Sequence, residues 1–357
     1  MLQIFYQTRN IQGLILSMSP VLAFLLRDMP LSFWLPFCCS ACLSAVPLRS
    51  ALQNIPFRLI TSLCGLSFFV GVFADMLLSA VLTGIAACGL LLLLPPLVTE
   101  GWFRKSWSVR LGSVWSAAFL AVPVFRYLLF QSGTAGQAGA FLLTSAGLLL
   151  FLERPPVNWQ IITYPSAADI REKFRKPAFY TASIAAALGI AYCMASVNYD
   201  LSSGMDAVQL PPLWLLLSPA PLAAAFFIER KGIFSGCVLL IFFCESSTLL
   251  LGFLTGSTAA VSGIILLSLA AGSLPVTVPV LCFYLYGHAN YFRGFCRMAG
   301  FIPLGLLCAV PILQMAEENT LSPDEPAVLL LFLLILSFFC IFFAWKQRFI
   351  ILKNEIL

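Results

Sequence analysis

ERPPVNWQIITYPSAADIREKFRKP, residues 153–177, is the longest polar stretch in this 357-residue chain, and apolar runs crowd it on both sides. Before it lie runs near residues 11–26, 31–47, 56–74, 76–98, 111–131 and 135–152. After it come runs near 178–196, 212–228, 232–253, 257–283, 298–314 and 327–345. A helix needs roughly 20 apolar residues to cross a hydrocarbon core of about 30 Å, and most of these runs have that length. The polar stretch therefore divides twelve candidate spans into six and six. The expected fold class is an all-α polytopic membrane protein in two six-helix bundles, residues 1–153 and 178–357, joined by a loop at 154–177. Within the loop Ser166 is placed to cap a short helix, with Asp169 three residues on. Ile170 and Phe174 share one face of that helix, and Arg171, Lys173, Arg175 and Lys176 surround it. Two readings stand for it: a solvated linker drawn to anionic lipid, and a gating element on the membrane surface.

Composition agrees with the spans. Hydrophobic residues make up 61% of the chain and charged ones 10%, against roughly 25% charged in soluble domains; the mean hydropathy is +0.97. The opening MLQIFYQTRN and the run after it have the outline of a secretory signal, but Arg27-Asp28-Met29-Pro30 offers no small-residue cleavage site. The first run is therefore expected to stay as a span. The net charge of +5 comes without a basic face interleaved with aromatics, so nucleic acid is not an expected partner.

Charge placement orients the helices. Short cytoplasmic loops collect Lys and Arg. With the N-terminus inside, eighteen of the twenty basic residues fall on the cytoplasmic side, all except Arg27 and Arg126. The opposite loops hold Asp28, Asp75, Asp200, Asp206, Glu317, Glu318, Asp324 and Glu325. The expectation is a multi-pass protein of the cell (inner) membrane with both termini cytoplasmic.

A weak repeat joins the halves. GWFRKSWSVRLG (101–112) follows the fourth span and AVPVF begins nineteen residues beyond Trp102; NYFRGFCRMAG (290–300) follows the tenth and AVPIL begins eighteen beyond Tyr291. The two copies occupy the same place in their halves, as duplicated membrane bundles do.

With twelve spans, both ends inside and a central cytoplasmic loop, the chain resembles the major facilitator superfamily across nearly its whole length. In that family the loop between the second and third helices of each half carries a Gly-x-x-x-Asp-Arg-x-Gly-Arg-like signature whose charges latch the inner gate. Here FFIERKG (226–232) sets Glu229 and Arg230 in place of the Asp-Arg pair, with Lys231 next and Gly232 shifted; VPLRSALQN (46–54) keeps only Arg49. The signature is degenerate in the first half. The resemblance also implies basic residues after the fourth helix of each half, and Arg104, Lys105, Arg110 and Arg293 stand there. These form the candidate gate residues.

Glu245, in LIFFCESSTLL (240–250), is the one acid deep in a span. A charge at that depth costs on the order of 2.5–3.5 kcal/mol on insertion scales, so it needs a partner, a proton or water. It is the candidate for proton coupling; the competing reading is a neutral acid hydrogen-bonded to a neighbouring helix. The resemblance puts its helix at the periphery. Arg126, within about five residues of the outer end of the fifth span, either meets an anionic group through its guanidinium fork or snorkels to the surface. The resemblance further implies that the first and fourth helices of each half line a central cavity. Their polar residues are mostly hydroxyls and aromatics, among them Tyr180, Tyr192, Ser273 and Thr277, a lining suited to an apolar or weakly polar solute. Hydroxyls are also ordinary packing groups between helices.

Nothing points to enzyme chemistry or a cofactor. His288 has no ligand-spaced Cys, Asp or Glu beside it, the twelve cysteines are scattered through apolar runs, and the Cys39-to-Cys42 pair lacks a second pair or histidine. No phosphate-cradling glycine loop or nucleophile elbow occurs. The expected function is a secondary transporter that moves a small organic solute by alternating access, with proton-coupled efflux as the preferred direction and a monomer in the lipid bilayer as the working unit. The rival is a transporter-shaped sensor or scaffold that binds a ligand without moving it.

Overall fold

The computed structural model describes residues 2–25, 31–54, 57–99, 107–150, 213–254 and 257–281, with seven helical positions between 328 and 342. The central loop, the seventh and eleventh expected spans, and with them Arg104, Lys105, Tyr180, Tyr192, His288 and Arg293, lie outside the described residues.

The described chain is helical throughout. In order come α1 (Leu2–Leu25), α2 (Leu31–Asn54), α3 (Phe57–Phe73), α4 (Met76–Thr99), α5 (Trp107–Arg126) and α6 (Gly133–Leu150). Then follow α7 (Leu213–Leu217), α8 (Ala220–Lys231), α9 (Ile233–Phe253) and α10 (Ser257–Leu281). In hydrocarbon every peptide group must find its partner within the chain, which a helix achieves locally. The hydroxyls follow the same rule: Thr83, Thr144 and Thr248 donate to the carbonyls of Ser79, Ala140 and Cys244, four residues back. Three described helices, Ser108–Gln131, Ile233–Phe253 and Ser257–Leu281, are long and apolar enough to cross a membrane. The chain is a multi-pass membrane protein.

Three details differ from the expected spans. α1 starts at Leu2, nine residues before the apolar run, because Gln3, Gln7 and Arg9 interrupt hydropathy without breaking a helix. The eighth span is split at Ser218-Pro219, where proline supplies no N–H and restricts the residue before it; the ladder resumes with Ala223 N–H donating to Pro219 O at 3.0 Å. The fifth span ends in a π turn, Tyr127–Gln131, closed by Ser132 N–H to Tyr127 O at 3.1 Å. By contrast, α10 stays helical through Pro275 and Pro279.

In the first bundle α4 packs between α2 and α3, and α1 packs against α5 and α6. The α1–α6 crossing is close: a Cβ on Gly147 would stand 2.7 Å from Leu16 Cβ and 3.1 Å from Gly13 O. Rings fill this core. Phe33 lies 5.8 Å from both Trp34 and Phe37, and Phe24 meets Phe68 edge-on at 5.9 Å. The first bundle reaches the later helices through α5, which packs along α8 and α7.

Candidate functional site

The α5–α8 contact is built from small residues. Ser108, Gly112 and Ser116 recur every four residues on α5, the small-xxx-small spacing that lets helix backbones approach. At Gly112 the approach is closest: an added Cβ would stand 2.7 Å from Pro221 O, 2.9 Å from Ala225 Cβ and 3.1 Å from Leu222 Cα. Even alanine therefore needs the helices to part.

One turn nearer the start of α5, the Ser108 hydroxyl donates to Glu229 Oε1 at 2.9 Å. Ser108 is buried and Glu229 exposed. The carboxylate sits beside the first turn of α5, where unpaired backbone N–H groups favour negative charge. Glu229, Arg230 and Lys231 are consecutive, so helical geometry separates them: Glu229 shares a face with Pro221 and Ala225 toward α5, whereas Arg230 and Lys231 leave on other sides and are exposed. Gly232 ends α8 at φ +87°, a left-handed conformation suited to glycine, and its N–H bonds to Ile228 O at 2.8 Å. The sequence signature thus marks a real turn, and its acid is the part that reaches the other bundle.

The same α5 face continues toward the far end through Trp115, Phe119 and Arg126. Trp115 is buried, and its indole N–H has no hydrogen-bond partner among the described residues. Arg126 is half-buried at the start of the π turn and makes no ion pair with a described residue. Trp115 and Ser116 are the α5 side chains whose buried polar atoms find no partner among the described residues, a costly arrangement in a bilayer. Arg110, half-buried in the first turn of α5, has its own interaction partner.

The remaining candidates fall elsewhere. Ser273 and Thr277 come together on α10, along a cavity of about 250 Å³ that α8 and α9 complete with Ala224, Phe227, Leu240 and Phe243. Both hydroxyls are spent on their own helix: Ser273 donates to Ala270 O at 2.7 Å and Thr277 to Ser273 O at 2.9 Å. Glu245 is half-buried at mid-length of α9, about half a turn of helix away from that cavity face, and it pairs with no described residue. Ser108, Gly112 and Trp115 were not singled out from the sequence. The four-residue repeat of small side chains was the available signal for the first two; an orphaned indole N–H has none.

No protein-family model matches the chain, and no curated protein matches it in sequence. Solved structures do match in shape. The human organic anion transporter MFSD10 (TETRAN) aligns with a TM-score of 0.63 at 14% identity, over 95% of this chain and 98% of that one. A bacterial homologue of the iron transporter ferroportin, in an outward-facing state, aligns with a TM-score of 0.61 at 14% identity, over 96% and 99%. The chain has the major facilitator fold. Within the major facilitator fold α9 is the third helix of the second half and α10 the fourth. The burial agrees: α9 keeps an exposed stripe through Val238, Phe242 and Leu249, whereas α10 is buried at almost every position from Leu267 to Leu281.

Proposed function

We propose that the chain is a secondary transporter that moves a small organic solute by alternating access, its two halves, residues 1–153 and 178–357, rocking about the α5–α8 contact. The observation that carries this reading is the Ser108–Glu229 hydrogen bond, which joins the two bundles at the end that carries Arg110, Arg230 and Lys231. A bond of this kind, one donor and one partly solvated acceptor, is weak enough to break in each cycle. That end is cytoplasmic by the distribution of basic residues, which puts both termini in the cytoplasm of a cell whose inner membrane holds the protein as a monomer.

The α5 face supports an anionic or amphiphilic solute. Arg126 supplies a cationic fork and Trp115 an N–H along this face of α5, among aromatic and aliphatic neighbours. That MFSD10 is an organic anion transporter adds to this choice. Glu245 is the carrier we assign to the exchanged proton, because it is the one carboxylate among the described residues at mid-length of a membrane-spanning helix, and it lacks a charged partner there. Export in exchange for proton uptake is the direction we propose.

Proteoliposomes test the reading. Solute-dependent proton flux under an imposed pH gradient, measured with a panel of amphiphilic organic anions, is the expected result. Solute binding without flux in folded, inserted protein would identify a sensor instead.

A further inference from the structure

The cavity between α8, α9 and α10 takes no part in the α5–α8 contact. Its α8 wall, Ala220, Ala223, Ala224 and Phe227, lies on the side opposite Pro221, Ala225 and Glu229. Protein interiors leave few voids larger than a water molecule, and an apolar cavity of about 150 Å³ already stays dry and accepts benzene. This one measures about 250 Å³. Its two hydroxyls, on Ser273 and Thr277, have donated their protons to α10 carbonyls, so they offer no free donor to a polar guest. The space is also open at one side: Ala223 is exposed, and Ala224, Phe227, Leu239, Phe243 and Leu269 are half-buried.

The cavity extends from the level of Ala220 to that of Ile228 and Gly236, roughly 12 Å along α8 toward the basic end. Arg230 and Lys231 follow Phe227 by three and four residues and so stand directly beneath it on the same side of α8. Both are exposed, and Glu229 is engaged with Ser108 on the other side.

An open hydrocarbon-lined slot that ends in two cations at the membrane surface has the chemistry of a phospholipid. We infer that it binds an anionic phospholipid of the leaflet at the basic end, one acyl chain in the cavity and the phosphate at Arg230 and Lys231. Basic pockets between transmembrane helices on the cytoplasmic side recognise such headgroups, and each cation near the surface adds to the attraction. The site lies on the side of α8 away from the α5–α8 contact, and binding there needs no transport to be seen.

Native mass spectrometry of the full chain, titrated with phosphatidylglycerol and with phosphatidylcholine of the same acyl chains, tests it. One phosphatidylglycerol is expected to be retained, at about tenfold or greater preference, from two cations near the surface. Ala224→Phe should remove it by filling the slot. Ala223→Phe, at an exposed position that can take a larger side chain without crowding the core, should weaken it. Arg230→Gln with Lys231→Gln should reduce phosphatidylglycerol to the level of phosphatidylcholine. Equal retention of both lipids by the native chain would overturn the headgroup assignment. Retention unchanged by both alanine substitutions, or displacement of the lipid by glycerol 3-phosphate alone, would overturn the acyl-chain assignment.

Discussion

The Ser108 hydroxyl and Oε1 of Glu229 meet at 2.9 Å across 121 residues of sequence, and this bond ties the start of α5 to the end of α8. It lies one turn from Gly112, where the helices are in backbone contact. A polar latch beside a tight apolar crossing can release without unpacking the crossing.

Removing either partner should therefore cost little stability. Ser108→Ala and Glu229→Ala are each expected to lower the unfolding free energy by about 1 kcal/mol, the scale of one partly solvated hydrogen bond. The double variant should be no worse than either single one, because the two changes delete one interaction. Thermal unfolding of the four proteins completes the cycle, and additive losses would show that the pair does not interact.

Gly112 should tolerate no side chain. Gly112→Val puts methyl groups where an added Cβ is already 2.7 Å from Pro221 O, and overpacking of this kind costs about 1–3 kcal/mol. Gly139, in α6, has nothing within 4 Å of an added Cβ. Gly139→Ala should be neutral or stabilising by up to about 1 kcal/mol, as expected for an open helical position. Similar losses at both glycines would refute the close crossing.

Arg126 and Trp115 separate charge recognition from packing. Arg126→Gln should raise KM for an anionic solute at least about tenfold, the worth of one charge-assisted hydrogen bond, while Arg126→Lys recovers part of the affinity because lysine keeps the charge but loses the fork. Trp115→Phe removes an N–H that has no partner among the described residues, so its unfolding temperature should stay nearly unchanged. A KM that ignores all three substitutions would take this α5 face out of the solute path.

Glu245→Gln should uncouple. Glutamine keeps the size and loses the titratable proton, so downhill solute movement should persist while its dependence on the pH gradient disappears. Coupled flux that survives the substitution would move the proton site to another residue.

The placement of the candidates explains which parts of the site were legible in the sequence. Glu229 was a gate candidate only through the resemblance of FFIERKG to the family signature, while the glycine after the charged triplet marks a helix end by its own chemistry. Its separation from Arg230 and Lys231, one toward α5 and two on the side of the α8–α9–α10 cavity, depends on which face of α8 meets a neighbour. Ser273 and Thr277 could be read as polar residues on a central helix, but whether their protons were available depended on rotamers that return them to α10 carbonyls. Glu245 was conspicuous from its charge alone, and the sequence does not contain its turn away from the α8–α9–α10 cavity.

What the sequence determined by itself was the length and ends of α3, α4, α6, α9 and α10, to within a few residues. That part is local: in hydrocarbon each peptide group bonds within its own helix, so a run of apolar residues bounded by polar ones is sufficient instruction. The tertiary structure alone decided that Ser108 meets Glu229, that Gly112 lies under Pro221, and that alanines on α8 leave a void beside α9 and α10. Lipid tails are as apolar as the side chains, so no hydrophobic pattern marks the face that packs; helices choose partners by the fit of small side chains and single hydrogen bonds. Those fits exist only once residues far apart in the chain have been brought together.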